Sequence, residues 1–269
     1  MHIVDELILE RGIKLQSVPV LWKFIRPALF SLLGYNAARR IADLISPLNG
    51  FDAFAAVSDE LDLQIDSAGI ENIPKTGRCV IVCNHPTGLA DGIAVFDLLR
   101  ERRPDMVFMA NADALRVVPN GKDIIIPVEW VLAKRNREKA RNTLSLFRKA
   151  MADERPVVIF PAGSLAKLTM NGLVDKPWES SAFSLARKYQ APIIPVNITG
   201  RNSLLYYLFC ILSGELRDIT LFHELLNKQD KLFQFNIGSA VMAEGLSNST
   251  EQAIIMLRQK ATEYLAITE

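Results

Sequence analysis

The stretch Cys79-Val-Ile-Val-Cys83-Asn-His85-Pro-Thr-Gly-Leu-Ala-Asp91 decides the fold of this chain. Its first five residues are apolar and uncharged, which is typical of a short strand buried on both faces of a sheet. The proline and the glycine that follow predict a tight loop. Asp91 is a residue type that caps the first turn of a helix. A strand, a loop and a helix in this order form the repeating unit of a parallel sheet.

Strand and helix patterns alternate along the chain from about residue 61. The predicted strands cover residues 61–65, 79–83, 106–110, 123–128, 156–160, 192–199 and 234–237. The predicted helices cover residues 91–103, 137–153, 180–189 and 250–265. This alternation predicts an α/β fold with a mainly parallel central sheet flanked by helices.

The composition excludes several classes of protein. Apolar residues make up 49% of the 269 residues and charged residues 23%, so a disordered chain is excluded. The 31 basic and 30 acidic residues leave a net charge of only +1, which gives no reason to expect a nucleic-acid partner. The mean hydropathy of +0.15 is high. However, the longest uncharged run, Asn202 to Gly214, has 13 residues, whereas a membrane-spanning helix needs about 20.

Residues 1–50 differ from the rest and are predicted to form an N-terminal amphipathic helical segment, followed by one catalytic domain at 51–269. From Arg11 to Ala42 the chain has six basic residues and no acidic residue, interspersed with large apolar side chains. This pattern is typical of a helix lying in a membrane interface, and Pro27 would kink or split such a helix. The alternative is a pair of helices packed on the catalytic domain.

The start of the chain and its cysteines bear on location. The opening Met-His-Ile-Val-Asp-Glu lacks the positive charge of a signal peptide. Cys79, Cys83 and Cys210 are odd in number and lie in apolar runs, which favours buried thiols in a reducing compartment. We therefore expect a peripheral protein on the cytoplasmic face of a membrane, namely a bacterial inner membrane. No Cys/His cluster has zinc spacing, so no metal site is predicted.

His85 is the strongest catalytic candidate among the three histidines. It follows a buried strand at the carboxyl end of the predicted parallel sheet, where ligands bind in such folds. An imidazole can act as a general base near neutral pH, and a carboxylate such as Asp91 can orient it. The alternative is that Asp91 only caps the helix and that His85 is an ordinary loop residue. Because the sequence has no Gly-x-Ser-x-Gly elbow, His85 would activate an acceptor hydroxyl or water.

Two further loops follow predicted strands at the same edge. The loop Phe160-Pro-Ala-Gly-Ser164 contains Gly163, which permits a close approach of the backbone to a ligand. The uncharged strand Ala191-Pro-Ile-Ile-Pro-Val196 leads into Thr199-Gly-Arg-Asn-Ser203. Each of these signals is weak alone.

Taken in order, the three loops resemble the motifs of the lysophospholipid acyltransferase superfamily, which includes the glycerolphosphate acyltransferases. Asn84 to Asp91 resembles its first motif, Phe160-Pro-Ala-Gly163 its third and Ala191 to Pro195 its fourth. The resemblance implies His85 as general base, assisted by Asp91. It also implies a set of substrate-binding residues, namely Asn84, Thr87, Gly88, Phe160, Pro161, Gly163, Ser164, Arg137 and Arg201.

Two departures from the usual motifs restrict the resemblance to one branch of the superfamily. Five residues instead of four separate His85 from Asp91, and Ala162 replaces the usual glutamate of the third motif. Both departures are similar to the haemolysin-type branch, which includes O-acyltransferases of ornithine-type aminolipids. Similarity to this branch continues at Gly200-Arg-Asn-Ser203 and at His223-Glu-Leu-Leu-Asn-Lys228.

The resemblance therefore implies transfer of a fatty acyl group from acyl carrier protein or acyl-CoA to the hydroxyl of a lyso-lipid, preferably a lyso-aminolipid such as lyso-ornithine lipid. The implied partners are membrane lipids and the thioester cosubstrate, and no bound cofactor is needed. Arg135, Arg137 and Arg141 could hold an anionic group, or could form a solvated helix face. The apolar run at 204–212 could line an acyl tunnel, dip into lipid or pack in the core.

Other functions stay open on the sequence. One alternative is a lysophosphatidic acid or lysophospholipid acyltransferase of phospholipid synthesis. A second is a non-catalytic lipid-binding protein on the same fold, for which Ala162 leaves room. A metal hydrolase is a poorer third option, because His85 and Asp91 lack further ligands at convincing spacing.

Overall fold

A seven-stranded sheet forms the centre of the protein. The computed structural model describes residues 1–17, 19–129, 136–170, 172–246 and 249–265. The sheet strands are β1 Gln64–Ala68, β2 Cys79–Cys83, β3 Val107–Asn111, β4 Ile125–Val128, β5 Pro156–Ile159, β8 Ile193–Thr199 and β9 Leu232–Ile237. A separate antiparallel hairpin consists of β6 Lys167–Thr169 and β7 Gly172–Val174.

The strand order in the sheet is β1-β9-β8-β2-β5-β3-β4. Every neighbouring pair is parallel except β8 and β9, which run antiparallel. The predicted α/β fold with a mainly parallel sheet is therefore confirmed. β2, the strand that precedes His85, lies near the middle between β8 and β5, and all five of its residues are buried.

Helices cover both faces of the sheet. The helices are α1 Ile3–Arg11, α2 Pro19–Leu32, α3 Tyr35–Ile45, α4 Gly50–Leu61, α5 Leu89–Leu99, α6 Ala114–Val117, α7 Arg137–Ala152, α8 Ser181–Lys188, α9 Leu204–Leu212, α10 Gly214–Ile219, α11 Leu221–Leu226 and α12 Thr250–Gln259. One buried cluster joins the sheet to α3, α4 and α5. A second joins its other face to α7, α8 and α12. Burying both faces explains why the central strands are uncharged runs rather than alternating ones.

Some local predictions were wrong. The predicted strand at 61–65 starts later, because α4 continues to Leu61 and Asp62 ends it in the left-handed conformation. The buried Leu61 and Leu63 produced a false alternation of strand type. Cys79 and Cys83 are buried as predicted, but Cys210 on α9 is exposed. Arg135 lies outside the described residues.

The N-terminal helices pack on later helices of the chain, as one of the two interpretations expected, whereas their lying in a membrane interface stays a prediction. A third cluster buries side chains of α1, α2 and α3 against Phe209 of α9 and Ile219 of α10. The outer side of α2 nevertheless leaves large apolar side chains in solvent, and Phe24 is 76% exposed. None of the described helices is long and apolar enough to cross a membrane. The division of the chain at residue 50 stays a prediction.

Candidate active site

Three loops meet at one edge of the sheet because β8, β2 and β5 are parallel neighbours. Val82 of β2 is paired with Ile159 of β5, and Cys83 is paired with Val196 of β8. The residues that follow these strands therefore leave the sheet side by side. This edge brings the first-motif loop at 84–91, the loop at 160–164 and the loop at 200–203 together, as predicted from the sequence.

His85 and Asp91 form a hydrogen-bonded pair at this edge. The distance between His85 Nδ1 and Asp91 Oδ2 is 2.8 Å. The Asp91 side chain is fully buried, whereas 18% of the His85 side chain remains exposed. Because an ionised carboxylate only accepts, Nδ1 carries the proton and donates it to Asp91, which leaves a lone pair on Nε2. No described residue forms a hydrogen bond with Nε2, so that atom is available to a substrate.

The buried Asp91 carboxylate is stabilised by the start of α5. Its Oδ2 accepts hydrogen bonds from the backbone N–H groups of Thr87 and Gly88, both at 2.9 Å. Its Oδ1 accepts a short hydrogen bond from the Thr87 hydroxyl. A carboxylate in the first turn of a helix also interacts favourably with the helix dipole. Asp91 is therefore both a helix cap and the partner of His85, so the two interpretations given above do not exclude each other.

Gly88 is required by this arrangement. Its φ of 93° is a backbone conformation that residues with a side chain rarely adopt. A Cβ at this position would also lie 3.0 Å from Leu165 of the neighbouring loop. The glycine thus lets the first-motif loop pack directly against the loop at 160–164.

The loop at 160–164 covers one side of the imidazole. The rings of Phe160 and His85 are stacked with centroids 4.4 Å apart. Gly163 turns the loop with a φ of 61°. The Ser164 hydroxyl is buried and has no hydrogen-bond partner among the described residues. Ala162 is buried, so this loop presents apolar surface and one unpaired hydroxyl, with no charged side chain.

The third loop is attached to the first by specific contacts. The Asn84 amide donates to the Ile198 carbonyl at 2.9 Å and accepts from the Ile198 N–H at 2.6 Å. A Cβ on Gly200 would lie 2.8 Å from the Thr87 methyl group, so the two loops touch. Asn84 and Thr87 use their polar groups to hold the site together. Their predicted role in substrate binding stays a prediction.

The two arginines predicted to bind substrate lie in different places. Arg201 is exposed in the loop directly after β8, at the same sheet edge as His85. Arg137 is exposed at the first turn of α7, a helix that packs on β4 and β5 rather than on β2. The structure therefore brings Arg201 to the site edge and leaves Arg137 farther out along the sheet. Neither arginine takes part in an ion pair among the described residues.

Sequence reasoning gave no role to a buried ion pair between Glu224 of α11 and Lys228, which follows that helix. Lys228 Nζ lies 3.1 Å from Glu224 Oε2, and both side chains are buried. Glu224 also accepts from the N–H and the hydroxyl of Ser203, at 2.8 and 2.5 Å. Burial alone would raise the pKa of Glu224, but these hydrogen bonds and the Lys228 charge lower it below its ordinary value.

The same pair reaches the first-motif loop through Asn202. With its amide nitrogen turned towards them, Asn202 donates to Glu224 and to the carbonyl of Thr87, at 3.1 and 3.3 Å. The pair therefore supports two of the three loops. The family resemblance includes His223-Glu-Leu-Leu-Asn-Lys228, but the four-residue spacing of Glu224 and Lys228 does not predict their burial, because such spacing is common on exposed helices.

A second residue that sequence reasoning missed is Asp175, which follows β7. Its Oδ1 accepts a hydrogen bond from the His85 backbone N–H at 3.2 Å. Burial raises the pKa of this carboxyl above its ordinary value. Nothing in the local sequence predicts that a residue 90 positions away contacts His85.

The arrangement suits proton transfer coupled to acyl transfer. An acceptor hydroxyl at Nε2 can lose its proton to the imidazole, and the resulting imidazolium faces the Asp91 carboxylate. The buried Ser164 hydroxyl, which has no partner among the described residues, lies in the neighbouring loop. Within the described ranges, no group of three His, Cys, Asp or Glu side chains could hold a metal ion.

Comparisons with known proteins agree with this chemistry. The family described as Acyltransferase matches residues 64–199. A lyso-glycine lipid O-acyltransferase of Phocaeicola vulgatus is 24% identical over 198 residues, which are 71% of this chain and 69% of that protein. A lyso-glycine lipid O-acyltransferase of Bacteroides thetaiotaomicron is 26% identical over 159 residues, which are 59% of this chain and 56% of that protein.

A solved structure shows the same fold. The 1-acyl-sn-glycerophosphate acyltransferase PlsC of Thermotoga maritima aligns with 98% of this chain and 96% of its own, with a TM-score of 0.51 and 16% identity. The family match covers half of the chain and includes His85, Asp91 and the loop at 160–164. This protein therefore belongs to the acyltransferase family and is an acyltransferase enzyme of lipid metabolism.

Proposed function

We propose that this protein is an O-acyltransferase that esterifies the hydroxyl of a lyso-aminolipid. It belongs, in this proposal, to the haemolysin-type branch of the lysophospholipid acyltransferase superfamily. The acceptor is a lyso-lipid with an amino-acid headgroup, of the lyso-glycine or lyso-ornithine kind. The acyl donor is acyl carrier protein or acyl-CoA, and no bound cofactor takes part.

The single observation that carries the proposal is the His85–Asp91 pair beside a loop without charged side chains. The open Nε2 of His85 provides the base that any acyl transfer to a hydroxyl needs. Ala162 is buried where the family usually has a glutamate, so a polar glycerol-phosphate acceptor finds fewer partners in this loop. The two relatives named lyso-glycine lipid O-acyltransferase support the same choice of acceptor.

In the proposed reaction, the residues of this site accept and return the one proton that is transferred. Nε2 of His85 takes the proton of the acceptor hydroxyl while the oxygen attacks the thioester carbonyl carbon. The tetrahedral intermediate collapses with cleavage of the C–S bond, and the imidazolium returns its proton to the departing sulfur. Asp91 keeps the imidazole in the tautomer needed for the first step and stabilises its charged form in between.

The remaining predicted site residues have supporting parts in this proposal. The Ser164 hydroxyl donates to the oxyanion, and Gly163 allows the loop to come close to it. Phe160 and Pro161 form the apolar wall beside the imidazole. Arg201 binds the carboxylate that an amino-acid headgroup keeps when its nitrogen is acylated. Arg137 interacts with the acyl donor at the start of α7.

The membrane is the proposed location of the acceptor. Exposed apolar side chains concentrate on two helices that share the buried cluster beneath them. They are Val20, Phe24, Ile25 and Leu32 of α2, and Leu204, Leu208, Ile211 and Leu212 of α9. Apolar faces flanked by Lys23 and Arg26 suit an interface with anionic lipid. We place the protein peripherally on the cytoplasmic face of a bacterial inner membrane.

Membrane attachment can be tested with point substitutions instead of deletion of residues 1–50, because parts of α1 and α3 belong to the buried core. The double variant Phe24→Asp/Ile25→Asp should lose flotation with vesicles that contain anionic phospholipid. Met256→Asp is the matched control, because Met256 is similarly exposed but lies on α12, across the sheet. Unchanged flotation of the double variant would exclude α2 as the main anchor.

The function itself is tested with purified protein, labelled acyl carrier protein or acyl-CoA, and a panel of lyso-lipids in mixed vesicles. We expect the ester product from lyso-glycine or lyso-ornithine lipid and much less from lysophosphatidic acid. A strong preference for lysophosphatidic acid would replace the proposal with an enzyme of phospholipid synthesis. Binding of lyso-lipid without thioester turnover would leave a lipid-binding protein.

A further inference from the structure

The hairpin of β6 and β7 starts and ends on the backbone of His85. At its start, the N–H of Ala166 donates to the His85 carbonyl at 2.8 Å. At its end, the Asp175 carboxylate accepts from the His85 N–H at 3.2 Å. Both peptide groups of His85 are therefore held by one inserted hairpin, which separates the loop at 160–164 from α8.

Asp175 itself is held firmly in place. Its Oδ2 accepts a hydrogen bond from the Trp178 indole N–H at 2.9 Å, and Trp178 is part of the core beneath α8 and α12. The guanidinium of Arg258 on α12 donates to the Asp175 backbone carbonyl at 2.8 Å. Only 5% of Asp175 is exposed. The carboxylate thus connects the packed core on one face of the sheet to the backbone of the catalytic base.

These contacts complement those of the His85 side chain. Asp91 and Phe160 fix the direction and the plane of the imidazole. Ala166 and Asp175 fix the two peptide groups from which the side chain projects. A displacement of about 1 Å of a catalytic group can lower a rate by about 100-fold, so backbone anchoring matters even though it touches no substrate.

We propose that Asp175 is a positioning residue for His85 in the acyl-transfer reaction. Its carboxylate holds the His85 backbone at the place from which Nε2 reaches the acceptor hydroxyl. This inference rests on the proposed function only in its kinetic test, which measures the proposed acyl transfer. The position of the His85 ring can be observed without any substrate.

The kinetic test compares Asp175→Ala with a matched control, Asp123→Ala. Asp123 accepts two backbone N–H bonds, from Gly50 and Phe51, at 2.8 and 3.0 Å, whereas Asp175 accepts one backbone N–H and one indole N–H. It lies before β4, at the opposite edge of the sheet from His85. We expect Asp175→Ala to lower kcat by about 10- to 100-fold with KM for the lyso-lipid changed by less than about threefold. Asp123→Ala should keep the kcat of its folded fraction.

Two further variants separate the bonds of Asp175. Asp175→Asn keeps an oxygen for the His85 N–H and should retain more activity than Asp175→Ala. Trp178→Phe removes the indole N–H together with part of a buried ring, but it leaves the Asp175 carboxylate in place and should retain the most activity. Equal losses in Asp175→Ala, Asp175→Asn and Trp178→Phe would assign the effect to the Trp178 contact and overturn the proposal.

The structural test uses selective ¹⁵N labelling of histidine, because the chain has only three histidines. In Asp175→Ala the His85 ring and backbone signals should shift, while those of His2 and His223 stay in place. Unmoved His85 signals, or an unchanged kcat, would overturn the positioning role. If the wild type acylates no lyso-lipid, the proposed function fails, whereas the labelling experiment still decides whether Asp175 positions His85.

Discussion

The two ends of the parallel strands differ in how completely their polar groups are hydrogen-bonded. At the amino-terminal end, Arg103 is 1% exposed and donates to the carbonyls of Pro74, Gly77 and Glu154. These carbonyls lie before β2 and β5, and Arg103 also pairs with Asp105 before β3 at 2.8 Å. At the carboxyl end, His85 Nε2 and the Ser164 hydroxyl have no partner among the described residues.

This difference indicates that the amino-terminal end of the strands contributes to the stability of the fold and the carboxyl end to the reaction. A buried charge is tolerated when its hydrogen bonds are satisfied. The hydrogen bonds of Arg103 go to residues that precede β2, β5 and β3, so they also connect the starts of these three strands. An enzyme needs groups whose bonds are completed only by substrate, and those groups lie at the other end of the same strands. The four variants below test whether the two ends can be changed independently.

His85→Ala should have the largest effect on activity. Removing a general base lowers the rate by about 10²- to 10⁴-fold, because the acceptor hydroxyl keeps its proton. The free energy of unfolding should change little, since the imidazole is partly exposed and makes one side-chain hydrogen bond. Labelled-acyl transfer and denaturant unfolding measure the two quantities. His223→Gln serves as control, and a His85→Ala enzyme of normal activity would contradict the mechanism.

Arg103→Met should lower the stability of the fold and leave the activity largely unchanged, which is the opposite of the result expected for His85→Ala. It leaves three backbone carbonyls without the charged donor that Arg103 supplies, which we expect to lower the free energy of unfolding by about 3–5 kcal/mol. The activity of the folded fraction should stay near that of the wild type, because Arg103 lies at the far end of the strands. Urea unfolding together with kcat per folded molecule tests this. A large loss of kcat in fully folded protein would mean that the two ends are coupled.

Thr87→Val should affect both quantities moderately. The Thr87 hydroxyl donates to Asp91, and its loss removes one of the bonds that stabilise this buried carboxylate. We expect about 1 kcal/mol lower stability and about tenfold lower activity, the latter because Asp91 orients His85. Thr143→Val on α7 is the control, since its hydroxyl bonds the Pro127 carbonyl away from the site. Equal activity in both variants would argue against a role for the Thr87 hydroxyl.

Asp105→Asn should have the smallest effect, visible in the pH dependence of stability. Burial acts to raise the pKa of Asp105, but the hydrogen bond and the charge of Arg103 lower it below its ordinary value. A lowered pKa in the folded state stabilises the fold above the unfolded pKa, and this contribution is lost as the pH falls below about 4. The wild type should therefore lose more stability than Asp105→Asn between pH 5 and pH 3 in thermal unfolding. Parallel curves would show that this pair contributes nothing.

Much of the site was predictable because its key residues follow strands directly. The uncharged runs at 79–83 and 156–160 predict buried strands, and a parallel arrangement brings the loops after them together. His85, Asp91 and the loop at 160–164 therefore lie where the sequence places them. The helices were also predictable where the apolar period was long, as in α7, which starts at the predicted Arg137.

The missed parts depend on contacts between distant segments. Asp175 reaches His85 only because a short hairpin returns the chain to its starting point, and β6 and β7 have three residues each. Glu224 and Lys228 resemble an exposed pair one helical turn apart until the surrounding loops bury them. Arg103 carries the same charge as any surface arginine, and its role follows from three carbonyls in separate loops.

The stacking of Phe160 on His85 has a consequence for the choice between alcohol and water as the attacking group. An acyltransferase that admits water hydrolyses its donor and wastes the activated acyl group. With centroids 4.4 Å apart there is no room for a solvent molecule between the two rings. The hydroxyl that gives its proton to Nε2 approaches in the plane of the imidazole, because the Nε2 lone pair lies in that plane. The phenyl ring thus keeps solvent away from one face of the catalytic imidazole, and it does so with an uncharged side chain.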